Sequence, residues 1–126
     1  MNYAKLYTWV VGFLFLVAVG YTLTVELVSK GVTLEAGHKA LHVVIGLWAV
    51  VIVVRKLEPQ YRFFALTNGI LWGAVATVGW IFPDFHGLDA FNRLDTILHT
   101  IVSVTGLASA ALTKRSLASG QSSQYP

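Results

Sequence analysis

No cysteine occurs anywhere in the 126 residues. That excludes a disulfide, a thiolate metal site and a cysteine nucleophile, and it leaves nitrogen and oxygen as the only strong ligands for a metal. Charge is scarce as well. Asp, Glu, Lys and Arg together form 12% of the chain, about half the share of an average soluble domain. Of the three prolines, Pro59 and Pro83 lie at the edges of apolar runs and Pro126 ends the chain, so no run is broken in its middle. The net charge of +3 and the pI near 9.4 do not indicate nucleic acid, because the basic residues sit at the ends of apolar runs and form no stripe.

What the chain does contain is apolar surface: 56% hydrophobic residues and a mean hydropathy of +0.66. A membrane span needs about 20 mostly apolar residues, and four uncharged runs are available, 6–25, 40–54, 63–82 and 96–113. The expected fold class is all-α, an integral membrane four-helix bundle within a single domain, 1–115. Its helices are expected at about 4–28, 37–56, 61–82 and 92–113. The tail, 116–126, is rich in Ser, Gly and Gln without apolar periodicity and is expected to be disordered. The first run is too long for a cleaved leader, whose apolar core is about 7–15 residues, and is read as the first span.

Lys5, Arg55, Lys56, Arg62, Lys114 and Arg115 gather on the side that holds both termini, against Lys30, Lys39 and Arg93 on the other. The excess is expected to place both termini in the cytoplasm, with the chain multi-pass in the membrane. All four histidines, His38, His42, His86 and His99, then fall on the outer side with most of the acids.

Two stretches echo each other. His38-Lys39-Ala40-Leu41-His42-Val43-Val44-Ile45-Gly46 opens the second run and Asp95-Thr96-Ile97-Leu98-His99 opens the fourth, with His42 and His99 separated by 57 positions. Shifted by that interval, Leu41 falls on Leu98, His38 on Asp95 and Gly12 on Gly69. The expectation is two helix-hairpin repeats entering the membrane in the same direction, with His42 and His99 at matching depth. These stretches resemble the signatures of a family of small four-helix bacterial membrane proteins known only as a domain of unknown function, in which the even-numbered helices open with a polar residue and, about four later, a histidine. The resemblance covers most of the chain and implies the four-helix membrane fold. It implies no activity, and Ser103 stands where the pattern has glycine.

Residues i and i+4 share a helix face, so His38 and His42 form one pair and Asp95 and His99 another. If the second and fourth helices meet there, His38, His42, Asp95 and His99 make a nitrogen and oxygen set suited to zinc, iron or manganese, with Glu35, Asp84 and Asp89 available to orient imidazoles. Alternatively His42 and His99 alone ligate a haem, with Trp48, Trp72 and Trp80 lining its pocket. A third reading is a proton or ion pathway, and a purely structural one has His42–Asp95 or His99–Glu26 hydrogen bonds locking helices. The sequence favours a non-enzymatic accessory or assembly subunit in the lipid bilayer, carrying an outer-side histidine and acid cluster. Its contact with a larger membrane complex or a second copy would run through the small-residue stripe Ala65, Gly69, Gly73 and Thr77. Ser103 and Ser109 lie within a helix and form no nucleophile elbow.

Overall fold

The structure, a computed structural model, describes the backbone of residues 1–122 and the side chains of 1–113 apart from Asp89. The tail expected to be disordered lies outside the described side chains and, beyond Ser122, outside the described backbone. Four helices carry the chain: α1, Tyr3–Lys30; α2, Leu34–Val54; α3, Glu58–Ile81; and α4, Arg93–Ser122. Each is long and apolar enough to cross a membrane, α4 over Arg93–Thr113. The protein is an all-α, multi-pass membrane bundle, as its hydropathy requires.

Local chemistry sets the helix ends. Asn2 Oδ1 accepts from the Lys5 amide at 3.0 Å and starts α1, and Asn92 Oδ1 accepts from the Asp95 amide at 2.8 Å at the head of α4. Gly31, at φ +75°, ends α1 in a conformation that side chains disfavour. Three ends differ from the sequence expectation, one being that of α4, whose backbone stays helical to Ser122, past the expected 113 and into the tail expected to be disordered. The helix α2 begins at Leu34 rather than near residue 37, because Thr33 Oγ1 caps the Ala36 amide at 2.9 Å. His38 therefore lies a full turn inside the helix. Pro59 does not end α2. It sits in the first turn of α3, where its missing N–H has no partner to lose.

The helices pack as a rhombus. Neighbours α3 and α4 form the most extensive pair, α1 touches all three other helices, and α2 meets α3 only slightly. Helices α1 and α3 thus form the short diagonal, and α2 and α4 the long one. A Cβ built on Gly46 would lie 3.1 Å from the Leu16 amide and 3.2 Å from the Gly12 carbonyl, so glycine lets α1 and α2 approach at van der Waals contact. Polar bonds join α4 to its neighbours: Tyr7 Oη donates to the Val102 carbonyl at 3.0 Å, Thr113 Oγ1 accepts from the Ala4 amide at 3.0 Å, and Arg62 Nε donates to the Ala110 carbonyl at 3.2 Å. In lipid these groups have no water to turn to, so they pin the helices in register.

In α1 the π-helical segment Phe15–Val19 interrupts the regular winding. Below it, Tyr3–Leu14 packs on α2, α3 and α4; above it, Gly20–Lys30 keeps only α2 as a close helical neighbour. The C-terminal half of α1 leans away from α4, and a wedge opens between them.

Of the stripe Ala65, Gly69, Gly73 and Thr77, the first three lie against α4 of the same chain and Thr77 is exposed. Ala65 and Gly69 are buried under α4. Ser103 Oγ donates to the Gly69 carbonyl at 2.6 Å, a Cβ on Gly69 would lie 2.8 Å from Leu107 Cγ, and one on Gly73 would lie 2.7 Å from Ser103 Oγ. Close approach is what the stripe provides, but within the chain. Gly69→Leu is expected to lower unfolding stability by about 1–3 kcal/mol, the usual cost of overpacking, while the exposed Thr77→Leu leaves it within about 0.5 kcal/mol. Titration with a denaturing detergent, followed by circular dichroism, reads both.

Candidate metal centre

The wedge ends on a floor of three imidazoles. His38 and His42 lie one turn apart on α2, and His99 comes from the first turns of α4. Their backbones stay apart on the long diagonal, so the rings themselves bridge the gap. His42 Nε2 is 3.0 Å from His38 Nε2 and 3.5 Å from His99 Nε2, and one nitrogen from each of the three lies within 4.8 Å of the others. His42 and His99 are 6% and 3% exposed.

A tryptophan sets the ring planes. Trp72, fully buried on α3, stacks on His42 with centroids 4.1 Å apart at 9° and on His99 at 4.7 Å and 8°. The two imidazoles are themselves 5.5 Å apart at 12°, so they lie side by side over the same indole with Nε2 atoms facing. Phe15, the first residue of the π segment, meets His42 edge-on at 4.4 Å and 90°. Trp72 is held in turn. Its Nε1 donates to Asn68 Oδ1 at 3.0 Å, and Asn68 Nδ2 donates to the Phe64 carbonyl at 3.0 Å.

Electrostatics define the third ring. His38 Nδ1 donates to Glu35 Oε1 at 3.2 Å, which leaves the His38 Nε2 lone pair pointing at the other two rings. Lys39 bridges Glu35 at 3.7 Å and Glu26 at 3.3 Å, and Glu26 also takes Lys30 at 3.6 Å and Thr33 Oγ1 at 3.3 Å. Glu26 and Glu35 are thereby tied to cations or to a histidine. The Nδ1 atoms of His42 and His99 make no hydrogen bond among the described residues. The Ala90 backbone lies against the His99 ring in a geometry short of such a bond.

Three Nε2 atoms share this space, and one lone pair must meet another unless a proton or a cation stands between them. Tetrahedral zinc, with Zn–N of about 2.0–2.1 Å, sets ligand nitrogens about 3.3 Å apart. The separations of 3.0 Å between His38 and His42 and 3.5 Å between His42 and His99 lie on either side of that value. The carboxylate–histidine pair Glu35–His38 is the arrangement that fixes a metal-binding tautomer.

The chain matches no family model, no curated protein and no solved structure. Its chemistry rests on the geometry alone.

Of the four residues expected as metal ligands, His38, His42 and His99 converge. Asp95 does not belong to the converging group, although it lines the same wedge. The haem arrangement of His42 and His99 does not fit this packing: a macrocycle between the rings would need the space that Trp72 and His38 fill. The helix-locking pairs are not formed as expected. Glu26 bonds Lys39, Lys30 and Thr33 rather than His99, and the imidazole neighbours of His42 are His38 and His99. His86 is exposed in the short Phe85–Gly87 turn and packs on Phe85 at 4.2 Å, away from the cluster. Asn68 was not expected to serve the site. Its signal is a lone amide in the apolar third run, four residues before Trp72 and so on the same helix face. Asn68→Leu leaves the buried Trp72 N–H unpaired and is expected to cost about 1–3 kcal/mol, with the Trp72 indole proton moving in the NMR spectrum.

Proposed function

We propose that this is a metal-binding membrane protein that holds one divalent transition ion, zinc by preference, on Nε2 of His38, His42 and His99. The observation that carries the reading is the convergence of three imidazole nitrogens, those of His42 and His99 buried and that of His38 half-buried, with Nε2 separations of 3.0 and 3.5 Å, in a chain without thiolates. Imidazole suits zinc, copper, iron and nickel, and three imidazoles with one exchangeable position is a zinc arrangement. Glu35 orients His38, Trp72 orients the other two rings, and the fourth position is left to Asp95 or to an external ligand. The lysine and arginine excess at the opposite end supports a bacterial inner-membrane orientation with both termini cytoplasmic, which puts the centre near the outer face. The duplication of two hairpins belongs to the same reading, since it brings His42 and His99 to one depth.

Metal analysis of protein dialysed against zinc is expected to find about one ion per chain, lost in His42→Ala and His99→Ala and kept in His86→Ala. Glu35→Gln weakens binding by about 10–100-fold, the usual cost of losing an orienting carboxylate. Protein that remains metal-free at excess zinc overturns the reading.

A further inference from the structure

The wedge beside the histidines is a cavity of about 520 Å³, within the range of small-molecule sites. Its polarity is graded. Glu35, Lys39, Asn92 and Asp95 line it at the ends of α2 and α4 nearest the outer face together with Thr22 of α1, the three imidazoles stand behind them, and Phe15, Ala18, Val19, Leu98 and Val102 are among its apolar lining. The apolar part follows the π segment, where an extra-wide turn carries α1 away from α4. Two of its wall residues, His42 and His99, are more than nine-tenths buried and each keeps a nitrogen without a hydrogen-bond partner. A cavity so graded, polar outside and apolar within, matches the way a bilayer lipid lies.

We propose that this cavity binds a fatty acid, with its carboxylate on the open position of the metal centre and its chain along the Phe15–Val19 and Leu98–Val102 walls. The proposal rests on the metal reading, since without the ion the cation in the lining, Lys39, is already paired with Glu26 and Glu35. A divalent ion on three neutral rings keeps its two positive charges, and a carboxylate is the hard anionic ligand that an apolar site admits with a tail attached.

The test uses the full-length protein in detergent, loaded with Co(II), whose d–d absorption reports its ligands where zinc is silent. Oleate is expected to shift that spectrum and saturate at about one per chain, and oleyl alcohol to leave it unchanged. Ala18→Trp and Leu98→Trp, both at exposed positions facing the wedge, should keep one Co(II) per chain and lose the oleate response. A Co(II) spectrum indifferent to oleate, or a response undiminished in both tryptophan variants, overturns the fatty-acid site while leaving the metal centre standing. Failure to bind Co(II) overturns both.

Discussion

Three imidazoles held against one indole inside an apolar bundle are the arrangement on which the outer half of this protein depends. Helices α2 and α4 lie on the long diagonal of the rhombus, where no backbone contact of any extent joins them. What joins them there is His42 beside His99 on the face of Trp72. In water such polar rings would be solvated and loosely placed. In the bilayer each unsatisfied polar group costs on the order of kilocalories, so the rings are driven together and toward whatever cation or proton can reconcile their lone pairs.

The inner half is built differently and gives the outer half its freedom. Tyr7, Thr113, Arg62 and Ser103 bond across to main-chain groups of neighbouring helices, and the glycines at 12, 46 and 69 bring backbones into contact. With that end fixed, α1 departs at its π segment without loosening the bundle. The wedge is therefore a consequence of helix geometry rather than a packing fault. The ion-pair chain Glu35, Lys39, Glu26 and Lys30 closes the C-terminal end of α1 onto α2, so the departure is from α3 and α4.

Much of this was legible in the residues. Four apolar runs with charge only at their ends can do little else than span, and His38/His42 with His99, at entrances of runs that point the same way, had to share a depth. What was not legible has physical reasons. A small-residue stripe says that a helix approaches but not whose, and Gly69 and Gly73 receive α4 of the same chain. Asp95 matches His38 in register, yet register fixes depth and not azimuth, and its side chain stays outside the converging nitrogens. The π segment leaves no mark in composition, because Phe15–Val19 reads as any apolar turn. Thr33 as the cap of α2 was hidden by the more conspicuous Gly37.

The central claim is that the three Nε2 atoms act as one ligand set. X-ray absorption spectroscopy of the zinc-loaded protein measures that set directly. The account predicts a first shell at about 2.0–2.1 Å carrying the outer-shell scattering of three imidazole rings, reduced to two in His38→Ala. A shell of oxygen alone, with no imidazole scattering, would contradict it.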